Sequence, residues 1–163
     1  MAKDIDRAFL DIVNQNLGIA HKIARVYFDD PASREDAIQE MMYQLWRSFP
    51  SFDHRSKFST WMYRVCLNTA LTHFAKAKRT ASIPLASHHH NIPDVGGNDE
   101  EMIALMEAIS SLSKLNRAIV LLYLEGMSYE EIASVTGLSQ GNVSVRLVRI
   151  RKELEAFVKR QQE

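Results

Sequence analysis

Residues 128–151 read SYEEIASVTGLSQGNVSVRLVRIR and carry the most specific structural signal in the chain. Ser128 and Glu131 have the spacing of a capping box, in which two side chains bond each other's backbone N–H at the start of a helix. Gly137 tolerates a positive φ at a helix end, and Ser139 can cap a second helix after a turn of only a few residues. Helices joined this tightly cross steeply, so the pattern predicts a helix-turn-helix.

The second helix of this pair has an apolar face and a face rich in polar and basic residues. Val143, Leu147, Ile150 and Leu154 recur at steps of three and four, which predicts an inward stripe. Between residues 139 and 160 there are six bases and two acids. The candidate DNA-reading residues on the other face are Gln140, Asn142, Ser144, Val145, Arg146, Val148, Arg149, Arg151 and Lys152.

These side chains have the chemistry of major-groove recognition. Arg146 and Arg149 can bind guanine edges or phosphates, and the amides of Gln140 and Asn142 can bind adenine. Valine side chains on the same face can contact thymine methyl groups. The alternative, a face that is merely solvated, explains the arginines but not two outward valines beside them.

The rest of the sequence also has helical periodicity and no segment that alternates with period two. We therefore expect an all-α protein. Asp29-Asp30-Pro31 should end the first helix, and Ser33 is the expected N-cap of the second. The predicted helices upstream of the helix-turn-helix cover residues 5–27, 33–49, 57–79, 102–109 and 114–125.

Residues 82–98 contain Pro84, Pro93, Gly96 and Gly97 and lack a helical period, which is typical of a flexible linker. The sequence thus predicts two small helical domains, 1–80 and 101–163, joined by a linker over 81–100. The first domain has 12 bases and 9 acids, whereas residues 81–110 have five acids and no base. A basic, acidic, basic order predicts two surfaces that meet an anionic partner.

Bases also accumulate without acids between Asp53 and Asp94, interleaved with aromatic residues. This combination can bind single-stranded nucleic acid, because bases hold phosphates and aromatic rings stack on nucleobases. For Phe58, Trp61 and Phe74 the alternative, that each ring packs in the core, is the favoured interpretation. The basic residues are Arg55, Lys57, Arg64, Lys76, Lys78 and Arg79.

Composition excludes several other classes of protein. Among 163 residues, 20 bases balance 20 acids, so the chain is not a uniformly basic nucleic-acid binder. Cys66 is the single cysteine, and an internal disulfide is therefore impossible. The longest apolar run, Ala118 to Leu124, is far too short for a membrane span, and the charged N-terminal stretch is unlike a signal peptide. We expect a cytoplasmic protein without membrane insertion.

Several segments together resemble bacterial RNA polymerase sigma factors of the extracytoplasmic-function (ECF) subgroup. Residues 36–40 (DAIQE), running on to 45–47 (LWR), and 58–70 (FSTWMYRVCLNTA) are similar to the second sigma domain. Residues 121–133 (LLYLEGMSYEEIA), 141–143 (GNV) and 146–151 (RLVRIR) are similar to the fourth. The resemblance covers nearly the whole chain apart from the linker and the termini, and the subgroup lacks the domain between those two.

This resemblance implies a binding function that directs RNA polymerase to promoters. Core RNA polymerase, promoter DNA and an anti-sigma protein are the implied partners. The implied polymerase-docking residues are Asp36, Gln39, Glu40, Met42 and Trp46. The family's minus-ten reading loop maps to about Cys66–Thr72, where Asn68 and Thr69 would hold a flipped base. Arg64, Lys76, Lys78 and Arg79 complete the implied minus-ten set.

The helix from Ser139 would read the minus-thirty-five element. Ser144 and Val145 depart from the commonest family pattern, a base followed by a small polar residue, so the promoter sequence stays open.

Two other functional classes, a metal enzyme and a DNA-binding regulator, would use different parts of the sequence. A metal enzyme built on His88-His89-His90 is disfavoured, because adjacent histidines in a flexible segment do not converge on one ion. We expect no catalytic residue, metal or cofactor. A helix-turn-helix regulator that acts without polymerase remains the alternative, but such a regulator has no need for the first half of the chain.

Overall fold

The structure, a computed structural model, describes residues 1–80 and 100–163, without the side chains of residues 77–80. The all-α prediction is confirmed: these residues form helices and turns and contain no strand. A 3₁₀ turn at Phe49–Ser51 precedes the fourth helix. The helices are α1 (Ala2–Asn14), α2 (Leu17–Tyr27), α3 (Pro31–Ser48), α4 (Phe58–Thr80), α5 (Glu100–Ser110), α6 (Lys114–Leu124), α7 (Tyr129–Thr136) and α8 (Gln140–Gln162).

The helices group into two compact units, α1 to α4 and α5 to α8. Apart from Glu100, which begins α5, the predicted linker lies outside the described residues. In the first unit, α2, α3 and α4 pack on one another around Ile23, Met41 and Met62, which are fully buried. Cys66 lies in this core, and burial raises the pKa of its thiol to about 12, so the thiol stays protonated.

The predicted first helix is in fact two helices. Residues 15 and 16 interrupt it, and the Asn16 side-chain amide donates to the Ile12 carbonyl oxygen at 2.8 Å. An asparagine side chain that bonds a carbonyl oxygen of the preceding turn competes with the backbone hydrogen bonds of the helix. Gly18, whose residue type has a low helix propensity, follows two positions later. The apolar period runs through this break, which is why periodicity alone did not reveal it.

The start of α3 also differs from the prediction. Asp30, not Ser33, is the N-cap: its carboxylate accepts from the Ser33 backbone N–H at 2.8 Å. Pro31 occupies the first helical turn, where a missing N–H costs nothing and a fixed φ favours the helix. The Asp-Pro pair therefore begins α3 at Pro31, two residues before the predicted cap.

The second unit confirms the predicted helix-turn-helix. The Ser128 and Glu131 side chains form the capping box, with distances of 3.1 and 2.9 Å to the reciprocal backbone N–H groups. Gly137 has a φ of 78°, and Ser139 caps α8 by accepting from the Asn142 N–H at 3.1 Å. The core of this unit consists mainly of Ile119, Leu122, Ile132, Val143 and Ile150.

The Asp30 cap generates a stability prediction with a defined pH dependence. Asp30→Ala leaves the Ser33 N–H without its carboxylate acceptor and should lower the free energy of unfolding of the first unit by about 1 kcal/mol. The hydrogen bonds from Ser33 hold the pKa of the Asp30 carboxyl below its ordinary value of 3.8. The ionised cap should therefore contribute fully above that ordinary value, and its contribution should vanish as the pH falls through the lowered, folded-state pKa.

Urea unfolding at neutral and acidic pH measures this difference. Asp30→Asn is the matched control, because it keeps a capping oxygen without a titrating charge. It should preserve most of the stability at neutral pH. Equal stability of the wild type and Asp30→Ala at neutral pH would contradict the assigned cap.

Candidate nucleic-acid and polymerase interfaces

Four of the predicted DNA-reading residues share one side of the first half of α8. Asn142, Val145, Arg146 and Arg149 have the i, i+3, i+4, i+7 spacing of a single helical face, and we call them the reading stripe. Asn142 and Arg149 are exposed, and Val145 is 50% exposed. Of the predicted inward stripe, Val143 and Ile150 are buried in the core, whereas Leu147 and Leu154 are half-buried and line an apolar cavity.

Arg146 is the least exposed member of the reading stripe. Its Nε–H donates to Asn142 Oδ1 and its Nη1–H donates to Asn116 Oδ1, both at 3.2 Å. Asn116 belongs to α6, and sequence reasoning did not identify it. Asn116 and Arg146 are thirty positions apart in the sequence, so no local sequence pattern connects them.

The other predicted residues of α8 lie elsewhere. Val148, Arg151 and Lys152 line an apolar cavity of about 860 Å³ within the second unit. The same cavity is lined by Leu105, Tyr123, Leu124, Tyr129 and Val158, all of which are substantially exposed. Gln140 is exposed in the first turn of α8, and Ser144 is half-buried. The structure therefore separates the predicted set into a reading stripe, a cavity edge and two flanking residues.

Helix α3 buries one side and exposes the other. Ala37, Met41 and Leu45 are fully buried, whereas Asp36, Gln39 and Glu40 are exposed and Met42 is half-buried. Trp46 is 54% exposed, and its Nε1–H donates to Asp6 Oδ1 at 3.3 Å. Tyr43, which sequence reasoning missed, is 51% exposed. The exposed side of α3 therefore displays two large aromatic rings.

A polar cavity of about 400 Å³ lies between α3 and α4. It unites Asn68, Thr69 and Lys76 of the predicted minus-ten set with Glu40 of the predicted docking set. Gln44, Thr72 and His73 complete its lining. The Gln44 amide is held by Glu40 Oε1 at 2.9 Å, so one wall of the cavity is fixed by a hydrogen bond within α3.

The expectation of a loop at Cys66–Thr72 is wrong, because these residues lie in the middle of α4. The segment has no glycine or proline to break the helix. Thr69 and Thr72 donate their hydroxyl hydrogens to the carbonyl oxygens of Val65 and Asn68, at 2.7 and 2.9 Å, and so remain compatible with helix. Asn68 and Thr69 are presented by a helix, with Thr69 largely buried.

The remaining basic and aromatic residues of the first unit have different surroundings. Arg64 is half-buried in α4, and the side chains of Lys78 and Arg79 lie outside the described residues. Phe74 is half-buried and packs against Tyr27 and Phe28, whereas Tyr63 is buried in the interior.

Phe58 and Trp61 instead join a half-buried aromatic cluster with Phe49 and Phe52, with ring centroids 5.1 to 6.5 Å apart. The exposed His54 ring packs against Phe52 at 4.5 Å, and its φ of 60° is unusual for a residue other than glycine. Sequence reasoning missed Phe52 and His54, which lie in the non-helical segment before α4.

The described part of the chain has neither a cluster of metal-ligating side chains nor a membrane-spanning helix. Residues 1–80 and 100–163 contain no cluster of three or more metal-ligating side chains. His88-His89-His90 lies outside those residues. None of the described helices combines the length and apolar character that a membrane span requires.

Comparison with known protein families assigns each unit separately. Residues 12–80 match the model of sigma-70 region 2, and residues 102–154 match that of sigma-70 region 4. The ECF RNA polymerase sigma-E factor of Haemophilus influenzae is 32% identical over 135 residues, covering 74% of this chain and 71% of the relative. The RNA polymerase sigma-H factor of Pseudomonas aeruginosa is 28% identical over 153 residues, covering 83% and 79%.

Two solved structures share the fold. The sigma factor RpoE of Bartonella quintana, crystallised with the anti-sigma factor NepR, has a TM-score of 0.77 at 22% identity and covers 94% of this chain and 98% of its own. CnrH, solved with the cytosolic domain of CnrY, has a TM-score of 0.69 at 24% identity and covers 94% and 89%. With both sigma regions matched in order and a relative above 30% identity, the chain belongs to the ECF subfamily of bacterial RNA polymerase sigma factors.

Proposed function

We propose that this sigma factor docks on core RNA polymerase through α3 and reads its promoter with two separate surfaces. Binding core polymerase and directing transcription initiation is the function of its family. The observation that carries the docking assignment is the pair of exposed rings, Tyr43 and Trp46, on a helix whose opposite side is fully buried. Aromatic residues that are exposed on a well-anchored helix are typical hot spots of protein interfaces. Asp36, Gln39 and Glu40 supply the polar rim around them.

The polar cavity between α3 and α4 is the surface that we assign to the minus-ten element. Amide, hydroxyl and ammonium groups converge there, from Asn68, Thr69 and Lys76. Such groups can bind the edges of an unpaired base and the phosphate beside it. Arg64, Lys78 and Arg79 share α4 with these residues and extend its basic character.

The reading stripe is the surface that we assign to the minus-thirty-five element. Its amide, guanidinium and valine groups are those that recognise base edges and thymine methyl groups in the major groove. Arg151, Lys152 and Val148 lie at the edge of the apolar cavity instead, so phosphate contact is the role we assign to the two bases there. The domain limits 1–80 and 101–163 remain our proposal for the two functional halves.

An anti-sigma protein is a further proposed partner. RpoE of Bartonella quintana was solved in complex with the anti-sigma factor NepR, and CnrH was solved in complex with the cytosolic domain of CnrY. The apolar cavity of the second unit offers exposed rings and aliphatic side chains for a protein contact.

We further propose that the chain acts in the cytoplasm, where core polymerase is found, and performs no chemistry of its own. The alternative, a regulator that acts without polymerase, is not favoured, because the first unit matches a sigma region.

The docking assignment predicts that Trp46→Ala weakens binding to core polymerase by about tenfold or more, because an exposed aromatic anchor contributes through burial on binding. Combined replacement of Asp36, Gln39 and Glu40 by alanine should also weaken binding while the helical circular dichroism is retained. Affinity is measured by titrating labelled sigma factor with purified core polymerase.

The matched control is Asp11→Ala with Gln15→Ala, which removes one acid and one amide from exposed positions near the end of α1. This control should bind as the wild type does. Wild-type affinity of both the Trp46 variant and the triple variant would refute docking through α3.

For DNA, Arg149→Ala should cost about 1–3 kcal/mol and relax selection at one base pair, because we assign its exposed guanidinium a bidentate contact to guanine. Selection from a randomised duplex library, followed by sequencing, measures both effects. Arg160→Ala removes the same charge near the far end of α8 and should leave the selected sequence unchanged. A loss that is uniform over all sequences would move Arg149 to the class of phosphate contacts.

A further inference from the structure

Arg146 differs from Arg149, its neighbour on the reading stripe, in being held by two side chains of the protein. Its Nε–H bonds Asn142 Oδ1 within α8, and its Nη1–H bonds Asn116 Oδ1 across to α6. A guanidinium group has five N–H donors, so three donors remain for a ligand after these two bonds. The Arg146 guanidinium is therefore held in one orientation and still has N–H donors available for a ligand.

The two asparagines that hold Arg146 occupy equivalent places in their helices. Each is three residues after a serine N-cap, and its backbone N–H donates to that serine: Asn116 to Ser113 at 3.3 Å, and Asn142 to Ser139 at 3.1 Å. Capping restrains the backbone of the first turn of each helix. The two asparagine side chains that bond Arg146 therefore extend from restrained backbone positions. The guanidinium accepts no hydrogen bond, so both asparagines must present their oxygen atoms to it.

An arginine that is ordered before binding has an advantage over one that is fully mobile. A long exposed side chain loses rotamer freedom when it binds DNA, and that loss opposes affinity. Arg146 is half-buried and fixed between two helices, so much of this loss occurs on folding. Arg149 is exposed and has to be ordered by the DNA itself.

We propose that Asn116 is a positioning residue for DNA recognition: it acts from outside the reading helix by fixing the Arg146 guanidinium before DNA binds. It thereby sets how much Arg146 contributes to affinity for an acceptor group on the promoter. This inference rests on the proposed role of the reading stripe, and it adds a residue of α6 to a surface otherwise formed by α8.

A double-mutant cycle tests the role directly. The full chain and its variants are titrated with a duplex that the wild type enriches from a library with a randomised central segment. Asn116→Ala should weaken binding about three- to tenfold, because Arg146 is then no longer pre-ordered. This loss should disappear in the Arg146→Ala background and persist in the Arg149→Ala background, which serves as the matched control.

A purely structural role predicts a different result. If Asn116 only stabilises the second unit, its replacement should have the same effect on DNA affinity in both arginine backgrounds, and that result would overturn the proposal. No effect in any background would overturn it as well. Enrichment of a sequence by the wild type is the separate test of the reading stripe, so its success together with a failed cycle would refute the role of Asn116 alone.

If Asn116→Ala does not fold, Asn116→Asp is used in the same cycle, since an acid in the first turn of a helix is favourable. Its carboxylate should pair with Arg146 and withhold it from DNA. Part of its loss of affinity should then vanish in the Arg146→Ala background. An identical loss with and without Arg146 would again overturn the proposal.

Discussion

The turn between α7 and α8 is the constraint on which the DNA-reading surface depends. Gly137 takes a left-handed conformation that other residues adopt only with strain, and serine caps close the helix starts on either side. Because this turn sets the direction of α8, burial of Val143 and Ile150 leaves the reading stripe on the outer side of the helix. A side chain other than glycine at residue 137 would be strained by the positive φ of this turn, although its Cβ would meet no other atom within 4 Å.

Helices α3 and α8, to which we assign polymerase docking and DNA reading, share one physical design. Each is long enough to bury one side in its unit, through Met41 and Leu45 in α3 and through Val143 and Ile150 in α8. The residues on the other side of each helix are outside the core and are available for contacts with a partner. In α3 this side displays Trp46 and Tyr43, typical of a protein contact, and in α8 it displays arginine and amide groups, typical of a nucleic-acid contact. The core holds the helices in place, and we propose that the outer residues select the partner.

The sequence was sufficient for features that depend on neighbouring residues, and insufficient for those that depend on distant ones. The capping box, the Gly137 turn and the inward stripe of α8 follow from spacing alone. The break at Asn16 was missed because its side chain competes with the helical backbone hydrogen bonds. The cap at Asp30 was missed because Ser33, a residue with similar capping chemistry, was expected in its place. The contact between Asn116 and Arg146, and the division of α8 between stripe and cavity, required the packing of α6 against α8.

We propose that this chain directs polymerase to promoters with two separate DNA-reading surfaces. The most direct measurement is to mix the full chain with purified core polymerase, transcribe a fragmented bacterial genome and sequence the 5′ ends of the transcripts. The account predicts discrete start sites that core polymerase alone does not use, preceded by two short shared sequence elements at a constant separation. Transcripts no different from those of core polymerase alone, or start sites that share one upstream element only, would contradict it.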